Sequence, residues 1–403
     1  MTGNTQLFLQ LALIVGVSRA CAWLFRRMGQ TQVVGEMAAG IALGPTLFGQ
    51  LFPEAHRSFF PPGSLGPLQA FSQVGIAIFV FLVGVRTDFE ELRPHSRLAA
   101  VTSVVSIAAP LAMGALLAFY LLPRYGSNNP TAFCLFLGVA ISVTAFPVLA
   151  RILMERNLLE TRIGALAIAC AAVSDLAAWA LLAVLTVLTQ SSHSGFPLAW
   201  LAPALVIYGI CAMGLRRLLP RIAVSKRDGE LAMGSIAVLL VVAMISAAAT
   251  EWMGLHALVG AFVAGLITPR SLRKELIEHL EPATLLLMIP IFFALTGLKT
   301  NLVVGIGVPA YLDLGLILFV AVVSKWGAAA ATSRWMGLPW NEASQLGLML
   351  NARGLVELVV LNVGLELGII PNSLFSLMVC MAIVTTIMAT PLIDWLRRRA
   401  TGD

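Results

Sequence analysis

Ala171-Ala172-Val173-Ser174-Asp175-Leu176-Ala177-Ala178-Trp179 sets one carboxylate in the middle of an apolar run that extends from about residue 163 to 189. Some 20 apolar residues suffice to cross a hydrocarbon core roughly 30 Å thick, so the stretch reads as a membrane helix with an acid near its midpoint. A charge at that depth costs at least about 2.5–3.5 kcal/mol, so the acid needs a task or a partner. The whole chain asks for the same solvent: 59% of its residues are apolar, 11% are charged and the mean hydropathy is +0.91, far from the values of a water-soluble domain.

Thirteen candidate helices follow from such runs, near 6–25, 31–50, 68–86, 98–122, 130–150, 163–189, 197–215, 230–250, 254–268, 282–297, 314–333, 342–364 and 372–395. The basic residues test the segmentation, because loops on the cytoplasmic side are rich in Lys and Arg. Every second gap holds them: Arg26 and Arg27; Arg86, Arg93 and Arg97; Arg151, Arg156 and Arg162; Arg216, Arg217, Arg221, Lys226 and Arg227; Arg270, Arg273 and Lys274; Arg334; and Arg397, Arg398 and Arg399. The intervening gaps hold only Arg57, Arg124 and Lys299. This asymmetry predicts thirteen crossings of the cell membrane with the N-terminus outside and the C-terminus in the cytoplasm. The net charge of +6 is then topology and not a nucleic-acid footprint. The first segment is expected to be retained, since no small-residue cleavage site follows it. The five cysteines lie inside segments without CxxC or His/Cys pairing, which predicts packing residues rather than disulfides or a metal centre.

Two stretches repeat in the same order. Val34-Gly35 with Gly40 and Pro45 is similar to Val259-Gly260 with Gly265 and Pro269, and Phe81-Leu82-Val83-Gly84-Val85-Arg86-Thr87-Asp88 is similar to Ala294-Leu295-Thr296-Gly297-Leu298-Lys299-Thr300-Asn301. Segment 2 thus matches segment 9 and segment 3 matches segment 10. An odd number of crossings separates them, so the two halves, approximately 31–189 and 254–395, are inverted. The fifth and twelfth segments then correspond, and both carry helix-disrupting residues at mid-depth: Pro147 in one, and Asn351-Ala352-Arg353-Gly354 in the other. Paired interruptions of this kind point to a central binding site, because freed carbonyls and half-helix dipoles are ready ion ligands.

Besides Asp175, few ionisable residues are buried in the segments. Lys325 is midway along the eleventh, Arg353 midway along the twelfth with Glu357 one turn later, and Glu36 near the start of the second. Asp175, Lys325, Arg353 and Glu357 sum to zero charge, as a compensating cluster would. Desolvation opposes the charge on Asp175 and a neighbouring cation favours it, leaving a carboxyl able to take up and release protons. Ser174 and Thr144 offer hydroxyl oxygens to a hard cation such as sodium or potassium, or else pack helices. Lys325 either pairs with Asp175 when the site is unloaded or serves statically. Arg353 and Glu357 have the i, i+4 spacing of a structural ion pair. Glu36 reads as a charge stabilised at a helix N-terminus, and His256 as a packing or interfacial residue.

At these residues the sequence resembles the monovalent cation:proton antiporter-2 family, which includes Kef-type, sodium/proton and plant cation/proton exchangers. The marks are Val34 to Pro45, Thr144-Ala145-Phe146-Pro147-Val148, Val173-Ser174-Asp175 and Leu350-Asn351-Ala352-Arg353-Gly354-Leu355-Val356-Glu357-Leu358, and the resemblance runs over nearly the whole chain. It implies a homodimer with a dimerisation domain and a core domain, two crossed interrupted helices in the core, and an elevator-like slide of the core. By position, Asp175 resembles the ion-binding aspartate, Thr144 a ligand on the first broken helix and Lys325 the lysine that pairs with the aspartate. Ser174 departs from the family pattern, which has Asp or Asn there. The regulatory nucleotide-binding domain of Kef-type relatives is not expected in this chain.

The resulting expectation is a single all-α polytopic transmembrane domain over 1–403 that exchanges Na+ or K+ for H+, with Asp175, Ser174 and Thr144 as the ion site. Lys325, Arg353 and Glu357 would compensate charge, and Pro147, Asn351 and Gly354 would shape the breaks. No cofactor, nucleic acid or enzymatic step enters, since no intramembrane catalytic constellation is present. A channel-like potassium efflux pathway and an organic-solute carrier on the same scaffold are the rival readings.

Overall fold

The computed structural model describes residues 3–61, 63–86, 96–126, 129–189, 198–222, 226–227, 230–231, 233–253, 257–299 and 308–401. Along the chain the helices are α1 Gly3–Arg27, α2 Gln32–Leu43, α3 Phe48–Leu51, α4 Pro53–Phe59, α5 Leu65–Arg86, α6 Ser96–Tyr125, α7 Pro130–Ser142, α8 Phe146–Glu155, α9 Arg162–Thr189 and α10 Leu198–Ile222. They continue as α11 Met233–Trp252, α12 Ala257–Ile267, α13 Arg270–Ala283, α14 Ile289–Lys299, α15 Val308–Val322, α16 Ala328–Trp335, α17 Trp340–Leu350, α18 Leu355–Glu366 and α19 Asn372–Thr401. Wide π-helical turns at Thr284–Met288 and Val323–Gly327 join α13 to α14 and α15 to α16. The only strands among the described residues are Lys226–Arg227 and Glu230–Leu231, a two-residue antiparallel pairing. Eight described helical stretches are long and apolar enough to cross a membrane.

Helix occupies each of the thirteen segments read from hydropathy. Arg93, His256, Thr87-Asp88 and Thr300-Asn301 lie outside the described residues, as do 197, 232 and 254–255, and the eighth segment begins not as helix but with the strand residues Glu230–Leu231. The fifth segment is broken into α7 and α8, and the twelfth into α17 and α18. Local chemistry explains the first case. Asn129 caps α7, its side chain accepting from the Ala132 amide at 3.1 Å, and Pro130 opens the helix where its missing N–H costs nothing. Pro147 does not kink a continuous helix: the chain is already extended at Val143 and Ala145, and Pro147 is the second residue of α8.

The helices pack as two groups. One contains α1, α2, α5, α11, α12 and α14; the other contains α6 to α9 and α15 to α19. Few elements bridge them, chiefly α8 against α2 and α5, and α18 against α14. Within the first group glycines set the crossings. A Cβ on Gly40 of α2 would come within 2.5 Å of the Ala294 carbonyl oxygen on α14, and one on Gly265 of α12 would collide with the Phe81 carbonyl oxygen on α5. Gly35 meets the α1 backbone at Ala22 and Gly260 the α11 backbone at Ser246. Gly40 and Gly265, Ala294 and Phe81, and Gly35 and Gly260 are the pairs matched in the sequence repeat, so equivalent residues make equivalent contacts.

This close backbone contact has a measurable outcome. Gly265→Leu is expected to destabilise the protein by about 1–3 kcal/mol or more through overpacking. Gly209→Leu on α10, where nothing lies within 4 Å, should change it by less than about 0.5 kcal/mol. Thermal melting in detergent reads the contrast, and equal melting of the two variants would contradict the packing.

Polar ties between helix ends respect the charge count. Arg86 reaches Glu160 at 2.9 Å and Glu281 at 2.5 Å, Arg156 reaches Asp394 at 2.8 Å and the Gly29 carbonyl at 2.7 Å, and Gln30 donates to the Ile387 carbonyl at 3.1 Å. They join gaps of the basic face to one another or to the C-terminal part of α19. On the opposite face Arg124 pairs with the fully buried Asp313, which also accepts from the Tyr125 hydroxyl at 2.9 Å. Asp313 escaped the sequence reading because it lies at the margin of its apolar run.

Candidate functional site

The site is built where the two breaks cross. Ending α7 at Ser142 leaves its last carbonyls without helical partners, and the residues that take them come from distant elements. Arg353, on the second break, donates through its two terminal nitrogens to the Ala140 carbonyl at 3.2 Å and the Ile141 carbonyl at 2.7 Å. Lys325, in the wide turn Val323–Gly327, donates to the Ser142 carbonyl and, at 3.0 Å, to the Ser106 carbonyl on α6. Two cations thus sit at the negative end of the α7 dipole. Both side chains are fully buried.

The breaks also bond to each other. The Ala145 amide donates to the Ala352 carbonyl at 3.0 Å, and the Thr144 hydroxyl donates to the Leu350 carbonyl at 2.9 Å. Gly354 makes the approach possible, since a Cβ there would overlap Val148. Asn351 ends α17 fully buried, with neither side-chain atom hydrogen-bonded.

Asp175, on α9, faces the start of α8, close enough to the Phe146 amide for the two to interact. The positive end of a half-helix therefore meets the acid. Its Oδ1 has no hydrogen-bond partner, and the residue is 6% exposed. It opens on a crevice lined by Phe146, Ala172, Leu258, Val259 and Phe262, between the two helix groups, with a volume of about 40 Å3. That is room for a few water molecules or a small ion. The rings of Phe146 and Phe262 meet edge to face at 4.9 Å across the seam.

Of the residues singled out from sequence, Asp175, Ser174, Thr144, Lys325, Arg353, Glu357, Asn351, Pro147 and Gly354 all fall at or beside this crossing. Ser174 directs its hydroxyl at the Ser142 carbonyl, 3.5 Å away, the same oxygen that Lys325 holds. Glu357 lies 3.4 Å from Arg353. Among the described residues no ion pair within 4 Å joins Lys325 to Asp175, although the two are within electrostatic range: the ammonium is committed to main-chain carbonyls instead. Glu36 is the fifth residue of α2, past its first turn, and faces Arg151 of α8 at 3.8 Å. Arg151 also contacts Glu155 at 2.8 Å, and Glu155 accepts from the Gln32 amide at 2.6 Å, so this cluster ties α8 to α2. All five cysteines are free thiols, and no trio of His, Cys, Asp or Glu suited to a metal ion occurs among the described residues.

A protein family described as "Sodium/hydrogen exchanger, transmembrane" matches residues 12–398. The chain is 36% identical over 406 residues to the Na(+)/H(+) antiporter NhaS4 of Synechocystis, covering 98% of both proteins. It is 36% identical to cation/H(+) antiporter 15 of Arabidopsis thaliana and 33% identical to K(+)/H(+) antiporter 1 of Saccharomyces cerevisiae, covering 96% of this chain in each case. It spans about half the length of these two relatives, 47% and 46%. Its fold is similar to that of the sodium proton antiporter MjNhaP1 from Methanocaldococcus jannaschii, with a TM-score of 0.66, 98% of each chain covered and 14% identity.

Proposed function

The chain belongs to the sodium/hydrogen exchanger transmembrane family, and from that premise we propose that it exchanges a monovalent cation, Na+ or K+, for H+ through Asp175. Members of such a family are transporters and not enzymes; the ions are substrates and no cofactor takes part. The observation that carries the proposal is the buried Asp175 carboxylate, with one free oxygen, a half-helix N-terminus behind it and a crevice in front. Proton and cation compete for that oxygen. Either one quenches the charge, while the empty, ionised site is held back by the cost of desolvation.

Thr144 and Ser174 each keep lone pairs for a hard cation while their protons bond to carbonyls. Lys325 and Arg353 hold the end of α7, and Glu357 offsets Arg353. In this reading the protein is one transmembrane domain of two inverted repeats. The group containing α6 to α9 and α15 to α19 slides as an elevator against the other, a motion favoured by the few elements that bridge them. The first group would also form the interface of a homodimer, with the N-terminus outside, the C-terminus in the cytoplasm, and pH homeostasis as the cellular role. The small volume at Asp175 favours an ion over an organic solute.

Purified protein in proteoliposomes with a pH gradient tests this. Sodium, potassium, lithium or rubidium should each be tried, with choline as control. At least one alkali cation should evoke saturable proton flux that choline does not. Cation flux that ignores pH would mark a channel, and uptake of a solute without any alkali cation would mark a different carrier; either outcome refutes the proposal.

A further inference from the structure

Asp175 has a counterpart in the second half of the chain. In the first half, Asp175 on α9 faces the Phe146 amide, which leaves the α7–α8 break, and both line one crevice. In the second, the Arg353 amide, leaving the α17–α18 break, donates to the Thr386 hydroxyl on α19 at 3.0 Å. Each acceptor lines a crevice against the other helix group. Asp175 faces Val259 and Phe262 of α12, and Thr386 faces Val34 and Met37 of α2. Val34 and Val259 are the residues matched in the sequence repeat, and the same spacing relates Met37 to Phe262.

The chemistry of the two positions differs. Thr386 is buried, its crevice is otherwise lined by apolar side chains such as Ile383 and Ile387, and it carries no charge that would draw a cation. Its hydroxyl can also donate, which a carboxylate cannot. The hydroxyl oxygen lies 2.8 Å from the Arg353 carbonyl oxygen and 2.8 Å from that of Ala382, so its proton is shared between the two. One side chain therefore grips both main-chain polar groups of Arg353.

We propose that Thr386 is a positioning residue of the ion site: the neutral twin of Asp175, it clamps the Arg353 backbone so that the guanidinium stays on the Ala140 and Ile141 carbonyls at the end of α7. Those carbonyls precede Ser142 and Thr144 in the chain, so the clamp fixes the oxygen donors around the cation. An acid at 386 would instead compete for the guanidinium and pull it from α7. The inference rests on the antiport reading for its transport readout and on hydrogen bonding alone for its structural one.

The test compares Thr386→Val, which keeps shape and loses the hydroxyl, with Thr386→Ser, which keeps the hydroxyl. Thr386→Val should raise the KM for the transported cation about tenfold, the equivalent of one lost hydrogen bond, while Thr386→Ser stays within about twofold of wild type. In an Arg353→Lys background the Val substitution should add less than it does alone, because both changes act on one unit. Amide exchange at 351–354 should accelerate in Thr386→Val and not in Thr386→Ser. If Thr386→Val does not fold, Thr386→Cys, a weaker donor of similar size, carries the same contrast. A wild-type KM in Thr386→Val, a raised KM in Thr386→Ser, or full additivity with Arg353→Lys would overturn the clamp. A wild-type protein that exchanges no ions would sink the antiport reading alone, and the amide exchange would still decide the clamp.

Discussion

Asp175→Asn protein is expected to fold, to insert into liposomes and to lose cation-evoked proton flux by at least about 100-fold, because an amide can neither bind a proton reversibly nor neutralise a cation. The structure gives a reason for the fold to survive. The asparagine oxygen can face the Phe146 amide as the carboxylate does, and replacing a buried carboxylate by a neutral group removes a desolvation cost. Lys325 is not left without partners, since its ammonium is held by the Ser106 and Ser142 carbonyls and not by Asp175. Melting in detergent should therefore match or exceed wild type, while the fluorescence signal of proton movement disappears for every alkali cation. Wild-type flux from the asparagine variant would move the ion site elsewhere.

Arg353→Met should do the opposite, damaging the protein before it damages transport. The substitution strips the donors from the Ala140 and Ile141 carbonyls and leaves Glu357, fully buried, without its cation. Breaking such a buried pair from one side typically costs about 3–5 kcal/mol, enough to consume much of the stability of an ordinary domain. Glu357→Gln added to Arg353→Met should recover part of the loss, because the stranded negative charge goes. Paired melting curves of the single and double variants decide it. An Arg353→Met protein that melts like wild type would mean that the two carbonyls do not depend on the guanidinium.

The sequence was informative where the signal is a sum over many residues. Apolar runs located the membrane-length helices, whereas α4 and the charged α13 fell in the gaps between runs, and the matched glycines of Val34 to Gly40 and Val259 to Gly265 foretold contacts that the fold makes twice. The residues that meet at the helix crossing could be picked out from the sequence, because a charge inside an apolar run is conspicuous. Its wiring was not. The partners of Lys325 and Arg353 are main-chain carbonyls about two hundred residues away, and nothing in the side chains at 106, 140, 141 or 142 advertises a freed carbonyl. Pro147 marked the interruption but not its exact place, because a lone proline in a hydrophobic run does not reveal whether the break falls at it or just before it. Thr386 was invisible for a similar reason: a threonine on a membrane helix looks like a packing residue until the residue opposite it is known.

The wide turn at Val323–Gly327 carries Lys325 on a loop of backbone with a longer reach than an ordinary turn. An α-helix advances about 100° and 1.5 Å per residue, so taking one residue out of that turn would rotate all of α16 and carry Ser333 away from Thr102, which it now meets at 3.2 Å. Length, more than composition, is thus what this stretch must keep. Conservative exchanges among Val323, Trp326 and their neighbours leave the geometry standing, whereas a single-codon insertion or deletion would change what the lysine can touch, and lineages of this chain should vary here in spelling but not in count.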